Sequence, residues 1–188
     1  VPTIVGPDAC REFLLKTELE TFVIKPTRGV YARGLQVLTR DPQGPGFLDP
    51  GGRAHTADAI IAAMSTDQRY GTFVVQERLE NHGSLKRLAG SDALQTVRIV
   101  TLIPPDSPAR ILFACAKIMN SAHASDNFDY GVSGNLLGDV DLDTGTLSRV
   151  VGRHDSGFGL QEYPEHPATG IPFDGFALPD WDEACRIA

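Results

Sequence analysis

Short blocks of apolar residues alternate with polar and Gly/Pro-rich stretches along the chain, and their spacing predicts an α+β protein. Pro7 and Asp8 open a helical pattern that runs to Lys16, with Phe13 and Leu14 on its apolar side. Thr21-Phe22-Val23-Ile24-Lys25 reads as a buried strand stopped by Pro26. Residues 27–33 form a loop, and residues 34–38 alternate as a second strand. The Pro- and Gly-rich stretch 41–52 reads as surface loop. Thr56 is placed to cap a helix over residues 57–64, because its hydroxyl can accept from a first-turn N–H. Residues 72–76 form a further strand.

The second half is richer in strands. Residues 95–103 and 110–118 are β-branched and apolar, and the turn at 104–108 joins them as a hairpin. Residues 138–142 and 146–151 flank Asp143-Thr144-Gly145, a turn signal whose glycine can take positive φ. Residues 153–179 read as irregular, and Pro179-Asp180-Trp181 starts a helix. A boundary after residue 78 divides the chain into a small lobe with a leading helix, 1–78, and a second lobe, 79–188.

Composition narrows the function. A formal net charge of −7 repels a nucleic-acid backbone and argues against that class of partner. Cys10, Cys115 and Cys185 are scattered and form no CxxC pair, which suits a reducing, cytoplasmic setting more than a disulfide or zinc scaffold. No apolar run approaches the roughly 20 residues of a membrane span. The chain opens on Val1 without a secretory leader, which suits a fragment or processed product.

Four features can carry chemistry. Lys25 ends a rigid strand and can present a point charge to phosphate. After it, Gly29 and Gly34 would let backbone N–H groups approach phosphate oxygens, with Arg28 and Arg33 adding charge; an ordinary hairpin loop explains the same residues. The loop is neither a Walker A motif nor G-x-G-x-x-G. Next, Glu77, Arg78, Leu79 and Glu80 follow an apolar strand at the lobe boundary. There, backbone groups can read an adenine edge and a carboxylate can accept from base or ribose; a solvated strand end is the plain alternative. Third, Arg98 interrupts an apolar strand and needs an anion, either a structural carboxylate or a ligand. Lys117 on the partner strand favours the ligand. Fourth, Asn127 sits in Ser125-Asp126-Asn127-Phe128-Asp129-Tyr130-Gly131, where it can orient a phosphate, or where Asp126 and Asn127 simply make a turn. His55, His82, His123, His154 and His166 form no i, i+4 metal pair, and no G-x-S-x-G elbow occurs.

Taken in order, FVIKP at 22–26, the glycine loop at 29–34, VVQERLENH at 74–82, QTVRIVTL at 95–102, DNFDYG at 126–131, VDLDTG at 140–145, HPATG at 166–170 and Pro179-x-Trp181 form one pattern. The chain resembles the ATP-grasp superfamily, most closely the sugar-transfer associated ATP-grasp domains. The resemblance implies two α+β lobes whose antiparallel sheets clasp ATP. It implies that Lys25 contacts the α- and β-phosphates under a lid formed by the 29–34 loop, that Glu77, Arg78 and Leu79 form the adenine hinge, and that Arg98 and Lys117 stabilise the γ-phosphate or an acyl phosphate. ATP and Mg2+ are the implied cofactors. This sequence departs from the family at Val30, Tyr31 and Ala32 inside the loop, at Lys117 where Arg is common, and at Val132 where a second Gly is typical. The family's metal-binding Asp and Glu-x-Asn do not occur in these residues. The chain alone is therefore expected to lack metal ligands and turnover, and to expose apolar surface and an open sheet edge.

The function so implied is a ligase that activates a small carboxylate as an acyl phosphate for attack by an amine or thiol, in cell-envelope or polysaccharide-linked metabolism. A phosphotransferase acting on a hydroxyl and a non-catalytic nucleotide-binding module are the alternatives.

Overall fold

The computed structural model describes residues 4–29, 32–66, 69–120 and 125–188. The chain divides into two compact units, Val1–Leu79 and Glu80–Ala188.

The first unit is a five-stranded antiparallel sheet in the order β4-β3-β2-β1-β5. Its elements are α1 (Pro7–Lys16), β1 (Thr21–Pro26), β2 (Gln36–Arg40), β3 (Phe47–Leu48), β4 (Ala54–His55), α2 (Ala57–Thr66) and β5 (Phe73–Glu77). Strand residues alternate between faces. Phe22 and Ile24 therefore point to one side of β1, where they pack with Leu38, Phe47, Leu14 of α1 and Ala57 and Ile60 of α2. Each large side chain fully buried there contributes on the order of 1.5–3 kcal/mol. The Phe22 and Phe47 rings meet edge to face, with centroids 5.4 Å apart. The Thr56 hydroxyl accepts from Ala59 N at 3.1 Å, capping α2. The loop at 41–52 is more ordered than its composition suggests: Asp49 accepts from Gly51 N and Arg53 N and meets the His55 ring at 2.9 Å, which shapes the β3–β4 turn.

The second unit is a five-stranded antiparallel sheet in the order β10-β9-β8-β7-β6. It comprises α3 (Gly83–Ala89), β6 (Thr96–Leu102), β7 (Arg110–Ile118), a 3-10 turn (Asp129–Gly131), β8 (Leu136–Val140), β9 (Leu147–Arg153), β10 (Leu160–Glu162) and α4 (Trp181–Ile187). One face packs Ala114, Ala116, Ile118, Leu136, Val140, Leu147 and Val150 against Leu88, Phe173, Leu178 and Trp181. The sheet's other face carries the charged residues. The turn end of the β6–β7 hairpin leaves Leu102 of β6, Ile103 of the turn, and Leu112 and Phe113 of β7 exposed.

Three expectations change. The segment 153–179 is not wholly irregular: β10 pairs with β9, and isolated bridges join Thr146 to Ala177 and Glu165 to Pro172. Residues 83–89, not expected as an element, form α3: Leu85, Leu88 and Ala89 recur at i, i+3 and i+4, the His82 ring accepts from Ser84 N, and Gly90 closes the helix in the left-handed region. The strand expected from residue 34 begins at Gln36, because Gly34 (φ +76°) is still turning the chain.

Candidate functional site

In the first unit, strand parity places Lys25 on the face away from α1 and α2, opposite Val74 of β5. Lys25 is exposed and makes no hydrogen bond or ion pair among the described residues. The loop after it closes the β1–β2 hairpin. Gly34 is required there for a structural reason: a Cβ would press on Pro26 and the Tyr70 ring. Gly29 lies against the same two side chains. Pro26 and Tyr70 thus shape the base of this loop, and Val30 and Tyr31 lie outside the described residues. Arg33 is exposed.

Glu77 does not share a face with Lys25. It stands opposite Phe22, whose side chain belongs to the helix-covered side, so the two charged residues project from opposite faces of the sheet. The Arg78 N–H is already committed to Thr21 O at 3.1 Å. Leu79 and Glu80 are exposed at the junction between the units.

In the second unit, Arg98 and Lys117 do share a face. Arg98 stands opposite Cys115, and Lys117 stands opposite Thr96. Residues directly across an antiparallel pair point the same way, so all four side chains lie on the side away from the Trp181 core. Cys115 reads this field: burial pushes its thiol up, the Arg98 and Lys117 charges pull it back, and Asp139 adds to the rise.

The two cations differ in their partners. Lys117 Nζ lies 3.8 Å from Asp126 Oδ1. Asp126 is buried, and its other oxygen accepts from Thr96 N at 2.8 Å and from the Thr96 hydroxyl. It is therefore more than a turn former. Arg98 makes no salt bridge or hydrogen bond among the described residues. A fully buried amide that the sequence did not single out holds the segment in place. Asn135 Nδ2 donates to Ser125 O and Asn127 O, and its Oδ1 accepts from Asn120 N. The Asn127 side chain makes no hydrogen bond among the described residues. Further on, Asp129, Tyr130 and Gly131 all have positive φ, and Gly131 packs on the Arg153 backbone. A Tyr in that region is strained. Residues 126–131 thus run from Thr96 and Lys117 to Arg153, across the sheet end where β8 begins.

The remaining motif residues are architectural. His166 is buried and donates Nε2–H to Met119 O at 2.7 Å, while Nδ1 accepts from Ala168 N. Thr169 donates to Leu88 O at 2.7 Å. Asp141 accepts from Asp143 N, Thr144 N and the Thr144 hydroxyl, which shapes the β8–β9 turn and holds its carboxyl below the usual range. Trp181 packs under Gly145 and donates to Leu142 O at 3.1 Å. Among the described residues no group of three or more His, Cys, Asp or Glu is placed to hold a metal ion, and no helix is long and apolar enough to cross a membrane. His123 lies outside the described residues.

A family model for sugar-transfer associated ATP-grasp matches residues 8–188. No curated protein and no solved structure matches the chain.

Proposed function

The chain belongs to the sugar-transfer associated ATP-grasp family, and we propose that it is an ATP-dependent carboxylate–amine ligase that works through an acyl phosphate. The two antiparallel sheets with their helices are consistent with the ATP-grasp fold, and the family supports ATP-dependent, ligase-like activity in general. The observation that carries the finer reading is the shared face of Arg98 and Lys117, with no protein carboxylate on Arg98 among the described residues. A guanidinium displayed on a sheet face calls for an anionic ligand, and its planar fork suits a phosphoryl group.

In this reading Arg98 and Lys117 offset the charge that develops as a carboxylate takes the γ-phosphoryl group. Lys25 contacts the α- and β-phosphates. Asn127, with its side-chain amide unengaged by described residues, orients a phosphate oxygen. Arg33, Gly29 and Gly34 contribute from the hairpin loop, and Leu79 contributes backbone groups to adenine, with Arg78 limited to its carbonyl because its N–H bonds Thr21 O. Glu77 does so only from the opposite sheet face to Lys25, which makes it the weaker candidate, and Glu80 is the alternative acceptor for the ribose. The family generally binds Mg2+, which would offset phosphate charge when bound. The acidic residues described here do not fit a protein-held Mg2+, and every role above is assigned to backbone or side-chain groups of this chain. Action on polysaccharide-linked substrates rests on the family's description alone.

The test is turnover with Mg-ATP by the natural full-length protein, since these residues alone are expected to lack it, against panels of carboxylic acids, amines, thiols and alcohols. Phosphate and ADP release that needs both an acid and an amine supports the ligase. ADP release with an alcohol alone, the phosphate staying on the product, would replace it with a phosphotransferase. ATP binding without turnover in any combination would leave a nucleotide-binding module.

A further inference from the structure

We propose that Asp126 is a positioning residue of the anion site: anchored on Thr96, it fixes the charge that Lys117 presents and limits how tightly a polyphosphate binds. The inference rests on the nucleotide reading above and adds a residue that works against binding.

The geometry separates the two ends of the Asp126 carboxylate. Oδ2 takes both hydrogen bonds from Thr96, one from the backbone N–H and one from the hydroxyl. Oδ1 is left facing Lys117 Nζ at 3.8 Å. That distance is too long for a hydrogen bond, so the pair interacts by charge and the ammonium keeps its donors for another acceptor. Neither side chain is free to escape into solvent, since they are 12% and 21% exposed respectively. The backbone on both sides of Asp126 is tied down, because the buried Asn135 amide holds Ser125 O and Asn127 O. A carboxylate anchored this firmly cannot swing aside when a ligand arrives. An incoming phosphate must share Lys117 with a fixed negative charge, while Arg98, one diagonal step away, makes no ion pair among the described residues, the other carboxylate on that face being Asp139 of β8, beyond Cys115.

This arrangement predicts the opposite of what loss of a binding residue would do. Asp126→Asn is nearly isosteric, keeps an oxygen for the Thr96 N–H and hydroxyl, and replaces the charged oxygen facing Lys117 with a neutral amide NH2. The intact chain, D126N, Lys117→Ala and the double variant are titrated calorimetrically with inorganic tripolyphosphate and with ATP at two salt concentrations. D126N is expected to bind tripolyphosphate about three- to tenfold more tightly than the wild type. The gain should shrink at the higher salt and vanish in the Lys117→Ala background. Asp126→Glu, which restores the charge, should return the affinity towards the wild-type value. Should D126N fail to fold, Asp126→Ser takes its place with the same expectation. Affinity unchanged or weakened in a folded neutral variant overturns the proposal, as does a gain that survives removal of Lys117. If the wild type binds neither tripolyphosphate nor ATP, the nucleotide reading falls and the proposal falls with it. If the wild type binds and the neutral variant is no tighter, only the proposal falls.

Discussion

Arg98 and Lys117 are diagonal neighbours on one face of the β6–β7 hairpin, Arg98 across from Cys115 and Lys117 across from Thr96. Asp126 stands beside Lys117 alone. An anionic partner is therefore called for at Arg98, which makes no ion pair among the described residues, whereas Asp126 meets that need in part for Lys117.

Arg98→Ala is expected to weaken ATP by about 1.5–3 kcal/mol, the scale of a charge-assisted hydrogen bond, and to weaken ADP much less. The contact is assigned to the terminal phosphoryl group, so calorimetric titration with the two nucleotides checks it. An equal loss for ATP and ADP would move Arg98 to another part of the nucleotide.

Lys25→Ala is expected to weaken ATP and ADP alike by about 1.5–3 kcal/mol and to leave adenosine unchanged. The exposed position of Lys25 also means that the substitution leaves the Phe22–Ile24 core intact. An unchanged melting temperature is the control, and a loss of adenosine affinity would count against a phosphate contact.

Gly145→Ala is expected to destabilise the second unit by about 2–4 kcal/mol. Gly145 has φ +69°, and a Cβ there would drive into the Trp181 ring beneath the β8–β9 turn. Trp181→Phe should cost less, since it loses mainly the bond to Leu142 O and part of the ring. Denaturant melts of the two variants check the order.

His166 gives a pH dependence with a defined sign. Burial holds its protonation below the ordinary value of 6.5, with the bond to Met119 O opposing the shift. The folded chain thus binds fewer protons than the unfolded chain in the window below 6.5. The His166 contribution to stability is complete above that pH and is lost as pH falls towards the lowered folded value. The slope is at most about 1.4 kcal/mol per pH unit. Urea melts between pH 5 and 7.5 should show it, and His166→Gln should flatten it.

What the sequence made legible follows from what is local. The run Phe22-Val23-Ile24-Lys25, the Thr56 cap and the Asp143-Thr144-Gly145 turn depend on neighbours in the chain, and each lies where its pattern placed it. Helix α3 was hidden because its cap is the His82 ring rather than a Ser, Thr, Asp or Asn. The short strands β3 and β4 were hidden because two residues carry no period. In the site, Arg98 and Lys117 could be paired from the hairpin alone. Asp126 could not be joined to Thr96, because the contact spans 30 positions and a buried Asp reads like a turn former. The opposed faces of Lys25 and Glu77 required the β1–β5 register, which no local pattern records.

That this chain holds ATP through its phosphates is tested by a parallel calorimetric titration of the intact chain with ATP and with adenosine. ATP is expected to bind at least about tenfold more tightly than adenosine, and this margin to collapse when Lys25 and Arg98 are both replaced by Ala. Equal affinity for the two ligands, or a margin that survives the double replacement, would contradict it.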